Sequence, residues 1–114
     1  MKSYYVYLMA SAPRGTLYTG ITSDLIKRVH QHRTGSVPGF TATYAVKRLV
    51  WFEVFHDVDQ AILREKRIKR WRRGWKYELV ERENHGWVDL WGELVSGETE
   101  RSPGWWDADV GGGA

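Results

Sequence analysis

Residues 3–22 read S-Y-Y-V-Y-L-M-A-S-A-P-R-G-T-L-Y-T-G-I-T, and their pattern decides the fold. Over residues 3–10 two sets alternate, Tyr4/Val6/Leu8 and Tyr5/Tyr7/Met9. Side chains of a strand point to opposite faces in turn, and aromatic and β-branched residues fit its pleated surface, so this segment is a strand. Ser11-Ala12-Pro13-Arg14-Gly15 supplies Pro and Gly for a turn, and residues 16–21 form a second strand. The pair is a hairpin. Thr22-Ser23-Asp24 then offers N-cap side chains for a helix running to about Arg33.

Beyond that helix, residues 34–47 hold two Gly, one Pro and four Thr/Ser without either periodicity. They read as a long loop with room for one short helical turn at 41–44, and such loops in compact domains are often functional. Residues 48–56, R-L-V-W-F-E-V-F-H, form a buried third strand. A helix is expected over 57–73, capped by Asp57 or Asp59 and stopped by Gly74, with a further short helix over 75–82. The order β-β-α-β-α-α gives an α+β fold, a three-stranded antiparallel sheet flanked by helices. Residues 1–92 are read as one domain. Residues 93–114 are acidic and Gly-rich, expected to be a disordered tail with Trp105 and Trp106 as its only apolar anchors.

The chain has 114 residues, 42% hydrophobic, including seven Trp, six Tyr and three Phe, enough for the core of one small domain. Cys is absent, which excludes disulfides and Cys-ligated zinc. No apolar run is long enough for a membrane helix, and Met1-Lys2-Ser3 leads directly into the first strand without a signal-peptide pattern, so a cytoplasmic protein is expected. The net charge of +3 conceals an asymmetry. Residues 1–77 carry 15 Lys/Arg against 5 Asp/Glu, a net of +10; residues 78–114 carry 2 against 9, a net of −7. A basic body of this kind is the footprint of a polyanion binder, although a solvated charged surface has the same composition.

Several residues stand out on this frame. Tyr7 and Tyr18 are eleven apart and can face one side across the hairpin; strand tyrosines usually pack, so packing and function both stay open. Arg28 and His32, four apart, share a helical face distinct from that of Leu25, Ile26 and Val29. On the next helix Ala61, Ile68, Trp71 and Trp75 fall in one apolar stripe, with Glu65 at its border. Seven Lys/Arg lie between Arg64 and Arg73, so this carboxylate either pairs with a neighbour or serves as a hard oxygen ligand in a phosphate-attracting site. Asn84-His85-Gly86-Trp87-Val88-Asp89-Leu90-Trp91 is a polar turn with an aromatic closing segment.

Together these positions resemble the GIY-YIG endonuclease superfamily, most closely its stand-alone, single-domain bacterial subfamily. The resemblance runs over residues 3–91. It rests on Tyr5-Val6-Tyr7 and Tyr18-Thr19-Gly20 at the two name-giving motifs, and on L-Y-T-G-I-T, H-R-T-G, G-F-T, R-E-K-R-I-K-R-W-R-R and N-H-G-W-V-D-L-W. Gly and Ile of the name-giving motifs are replaced here, while the tyrosines are kept. On this resemblance Tyr7, Tyr18, Arg28, His32 and Glu65 are the catalytic residues, and Asn84 falls at the family's late Asn. It implies hydrolysis of DNA phosphodiesters with one Mg²⁺ or Mn²⁺ on Glu65, in repair or processing. Arg28 would meet the non-bridging oxygens and Tyr7 would help deprotonate water. Tyr7 would need Arg28 and the metal to lower its pKa from about 10. Tyr18 and His32 would orient groups or shuttle the proton.

Lys47, Arg48, Lys66, Arg67, Lys69, Arg70, Arg72 and Arg73 are the expected phosphate-binding residues. Phe40 and Tyr44 could stack on unpaired bases, which points to single-stranded or branched DNA. Two other readings compete. One is a non-catalytic nucleic-acid-binding module; the other is a protein-interaction domain whose acidic tail covers its own basic face.

Overall fold

The computed structural model describes residues 2–36 and 38–96. Strands β1 (Tyr4–Ala10), β2 (Leu17–Thr22) and β3 (Arg48–Phe55) form one antiparallel sheet in the order β2-β1-β3. The helices are α1 (Leu25–Thr34), α2 (Phe40–Thr43), α3 (Val58–Arg70), α4 (Arg73–Glu83) and α5 (Trp91–Ser96). The α+β architecture read from the sequence is the one observed. None of these helices is long and apolar enough to cross a membrane.

The alternation of β1 divides the core. Tyr5, Tyr7 and Met9 face Leu25 and Val29 of α1 and Leu94 of α5. Val6, Leu8 and Ala10 face Ala61 and Ile68 of α3 and Leu79 and Val80 of α4. Between Leu8 and Met9 the ladder to β3 shifts by one: Leu8 pairs with Trp51, but Met9 pairs with Leu49. Val50 is the extra residue of a β-bulge, so Val50 and Trp51, though consecutive, pack into the same cluster.

Asp24 caps α1, its carboxylate accepting from the Lys27 amide at 3.1 Å, and Gly35 ends the helix at φ 76°. Asp57 caps α3 in the same way through the Asp59 amide. The expected continuous helix to Gly74 is corrected. Trp71 and Arg72 are both extended, with ψ of 151° and 153°, so α3 stops at Arg70 and α4 begins at Arg73 with Gly74 inside it. The bend lets α4 turn back and bury Leu79 and Val80. It also takes Trp75 out of the expected apolar stripe: its side chain is exposed, edge-on to Trp71 at 6.2 Å.

Residues 84–91 close the open edge of β3. The Leu49 amide donates to Asp89 Oδ1 at 3.2 Å, and the Leu90 amide donates to the Leu49 carbonyl at 2.8 Å. Buried Asn84 donates from Nδ2 to the carbonyls of Val50 (3.0 Å) and Val88 (2.9 Å), and its Oδ1 accepts from the Val88 amide. It therefore supplies a partner for the bulge residue and holds the closing turn with one side chain. Helix α5 crosses the expected boundary between residues 92 and 93, and its Leu94 is buried, so the folded body extends through residue 96. The remaining expected tail, with Trp105 and Trp106, lies outside the described residues.

Asn84→Ala strands the buried carbonyl of Val50 and removes the partner of the part-buried Val88 carbonyl and amide, at roughly 1–3 kcal/mol for a buried group left unsatisfied. The expected result is a loss of about 2 kcal/mol or more, read as a lower urea midpoint with an unchanged slope. An unaltered midpoint would refute the clamp.

Candidate active site

The register of the hairpin builds the site. Tyr7 lies directly across from Gly20 in the β1–β2 ladder, and its ring occupies the space above that glycine. A Cβ at position 20 would sit 2.4 Å from the Tyr7 hydroxyl and ring carbon. The glycine of Tyr18-Thr19-Gly20 is thus needed for room, a role that the sequence alone did not reveal.

The Tyr7 hydroxyl meets His32 Nε2 at 3.0 Å, and His32 Nδ1 meets Thr41 Oγ1 at 3.0 Å. All three residues are buried. His32 belongs to the buried face of α1 with Leu25 and Val29, one turn beyond half-buried Arg28. It is not one of two solvated polar residues on a separate face. Tyr18 covers the arrangement, its ring centroid 5.2 Å from His32 and 6.2 Å from Tyr7. Thr41 comes from α2, in the segment expected to be a loop. Nothing in the sequence distinguished it from the other hydroxyl residues there beyond its place in G-F-T.

A phenol is a better donor and a poorer acceptor than an aliphatic hydroxyl, because it is far more acidic. The consistent assignment is Tyr7 O–H donating to Nε2 and Nδ1–H donating to Thr41. Burial raises the Tyr7 pKa above its ordinary value; the neighbouring Tyr18 and Glu65 push the same way, and Arg28 opposes them without prevailing. Arg28 acts in the expected direction, but desolvation outweighs this one cation taken alone. His32 shifts downward, first through burial and then through Arg28. Both shifts favour the neutral, hydrogen-bonded form of the Tyr7–His32 pair.

Arg28 and Glu65 lie within electrostatic reach of the Tyr7 hydroxyl. Glu65 is buried at 8% exposure, with Oε2 held by Lys69 Nζ at 2.6 Å, one turn along α3. The pairing expected as the bland reading is present, and it engages Lys69, one of the proposed phosphate binders. Among the described residues no three His, Asp or Glu converge as a metal cage. A single carboxylate suits a hard cation that keeps most of its water and takes phosphate oxygens, as Mg²⁺ and Mn²⁺ do. The residues present fit such an ion.

The remaining sequence-predicted residues divide. Lys66, Arg67, Arg70, Arg72 and Arg73 are exposed along α3 and the start of α4. Lys47 and Arg48 line a separate cleft of about 340 Å³ with Arg33 and Asp89. There Arg48 donates to the Trp87 carbonyl at 3.1 Å, and Arg33 pairs with Asp89, so both serve the fold. Phe40 and Tyr44 are exposed neighbours, with ring centroids 4.8 Å apart and Phe40 6.4 Å from Tyr18. Asn84 does not join the cluster; it is committed to the β3 clamp.

The model of the GIY-YIG catalytic domain matches residues 3–78. The chain belongs to the GIY-YIG family. Among its relatives, a UPF0213 protein of Haloquadratum walsbyi is 36% identical over 78 residues, spanning 68% of this chain and 86% of that protein. A UPF0213 protein of Staphylococcus saprophyticus is 32% identical over 80 residues, spanning 70% and 96%. The solution NMR structure of a UPF0213 protein from Bacillus halodurans superposes with a TM-score of 0.50 at 27% identity, covering 77% of this chain and 93% of that one.

The hydrogen-bond assignment is testable by ¹⁵N NMR of the His32 ring. The expected state at neutral pH is the Nδ1–H tautomer, shifting towards Nε2–H in Thr41→Val, which keeps the shape and removes the acceptor. An Nε2–H tautomer in the unaltered protein would reverse the direction of the relay.

Proposed function

We propose that the protein is a metal-dependent endonuclease that hydrolyses DNA phosphodiester bonds in DNA repair or processing in the cytoplasm, favouring single-stranded or branched DNA. The observation that carries this reading is the buried Tyr7–His32–Thr41 chain, with Arg28 and Glu65 in the field of its phenol.

In this mechanism water attacks phosphorus from the side of Tyr7. As the new P–O bond forms, the water proton passes to the Tyr7 oxygen and the phenol proton passes to His32 Nε2. Thr41 accepts from Nδ1–H throughout and holds the ring in the accepting tautomer. Tyr18 covers the pair and limits water around it. The guanidinium of Arg28 donates to the non-bridging oxygens, where charge accumulates in the transition state. Glu65 would hold the divalent ion, which when bound supplies Lewis acidity to the phosphate and to the departing 3′ oxygen. The P–O3′ bond breaks and the departing 3′ oxygen takes a proton from a solvent water, leaving a 5′ phosphate and a 3′ hydroxyl, while His32 returns its proton to solvent and restores the neutral pair. The exposed cations of α3 and α4 would hold the strand by its phosphates, independently of sequence.

The test is incubation of labelled single-stranded and duplex DNA with Mg²⁺ or Mn²⁺, and again with EDTA, beside Glu65→Ala, Arg28→Ala and Tyr7→Phe. Cutting should require the metal, and each substitution should slow it about 10²-fold or more, comparable with losing one transition-state donor. His32 must be neutral to accept the proton, and its pKa is depressed. The activity should therefore be lost as pH falls through a value below the ordinary 6.5, and stay flat from there to neutrality. Tight, metal-independent binding without cutting on either substrate would replace this reading with a binding module.

A further inference from the structure

Beside the catalytic cluster lies a second cavity, of about 200 Å³, lined by Thr16, Leu17, Phe40, Arg73 and Lys76. Its walls come from the β2 end of the hairpin, from α2 and from the first turn of α4. One wall is aromatic and the facing wall is cationic. We propose that this cavity is a subsite for one unpaired nucleotide of a DNA strand, with its base against Phe40 and its phosphate on Arg73 and Lys76. The inference rests on the nucleic-acid part of the proposed function and adds where, and in what form, the strand is read.

Three observations support it. First, the cations are uncommitted. Arg14, Arg33, Arg64 and Lys69 each pair with a carboxylate, whereas Arg73 and Lys76 have no such partner among the described residues, and no carboxylate lines the cavity. Lys76 is half-buried, and burial together with Arg73 and Lys69 disfavours its charge. A phosphate brought there relieves this crowding. Second, Phe40 is 46% exposed and backed by Tyr44 at 4.8 Å, a platform of aromatic surface left to solvent. Bases of any sequence stack on such a platform. Third, Phe40 of the cavity wall lies 6.4 Å from Tyr18, so the occupant would be continuous with a strand entering the catalytic cluster.

Size sets the selectivity. The cavity is smaller than the pockets of roughly 300 Å³ and above that take drug-sized ligands. It has room for one flat ring system and not for a base pair. A duplex could reach Arg73 and Lys76 with its backbone but could not place a base on Phe40 without unpairing it.

The experiment measures binding by fluorescence anisotropy on the full chain, in EDTA so that nothing is cut. The probes are an oligothymidylate of about ten nucleotides, the same strand with abasic residues in place of thymidines, and a duplex of equal length. Phe40→Ala should weaken oligothymidylate binding roughly tenfold, the scale of one lost base stack, and leave the abasic strand and the duplex unchanged. Lys76→Gln should weaken all three and lower the salt slope by about one, with Lys76→Arg restoring both. If both substitutions bind oligothymidylate as the parent does, the subsite is wrong, whether or not the protein cuts DNA. If both weaken it as stated while the parent never cuts in Mg²⁺ or Mn²⁺, the subsite stands and the nuclease reading falls.

Discussion

The Tyr7 ring lies over Gly20, in the space that any other residue at position 20 would fill with its own Cβ. This contact fixes more than one side chain. It directs the hydroxyl to His32, which in turn sets where α1 lies on the sheet, because His32, Val29 and Leu25 form one buried face. It also fixes α2, since Thr41 must reach the other nitrogen of the same ring. Three polar side chains are thus buried together at the centre of an apolar cluster, each satisfied by the next. A partly satisfied chain of this kind would be costly, because a low dielectric strengthens the bonds made and penalises those missing. The hairpin register, the seat of α1 and the position of α2 are therefore coupled through one chain of two hydrogen bonds.

The opposite half of the molecule solves a different problem. β3 is an edge strand with a bulge, and an uncovered edge invites pairing with another chain. The closing segment meets this with Asp89 and Leu90 on Leu49 and Asn84 on Val50. These bonds give Asn84 and Asp89, the polar residues of the closing motif, a structural task at the edge of β3. Asp89 ties the closing segment to Arg33 near the end of α1, so the edge cover and the helix that bears His32 form one frame.

Much of this was legible in the sequence, and the failures have physical causes. The hairpin, both aspartate caps and the third strand follow from local chemistry: alternation, Pro-Gly turn residues and carboxylates ahead of amphipathic runs. The bulge was hidden because residues 49–52 are all apolar, and a one-residue slip leaves no mark where both faces are buried. The break after Arg70 has no Gly or Pro at 71–72 to announce it; tertiary burial of Leu79 and Val80 favours the bend, and Gly74 misdirects. Spacing and the family resemblance point to Tyr7, Tyr18, Arg28, His32 and Glu65, and the fold brings them into one region. Thr41 and Gly20 escaped because their importance lies in what faces them across space. An unaligned sequence shows neither the acceptor that a histidine needs nor the volume that a ring takes.

The direction of the two pKa shifts bears on how such a site could operate. Burial raises Tyr7 and lowers His32, so the same dehydration favours the neutral pair over tyrosinate–imidazolium from both sides. A resting tyrosinate would be a ready base, but burial and the charge of Glu65 both disfavour it, and Arg28 does not outweigh them. Keeping the proton avoids that charge while the site is empty. On the proposed reading, the proton moves only when a phosphate is seated and the charges around the phenol change. A tyrosine raised by burial is also the stronger acceptor once its own proton has begun to leave, which suits a transfer in which His32 withdraws as water gives. The features that make Tyr7 a poor base in isolation are then those that confine its basicity to the bound complex. In that scheme Thr41, which keeps the accepting nitrogen of His32 facing the phenol, matters as much as the tyrosine itself.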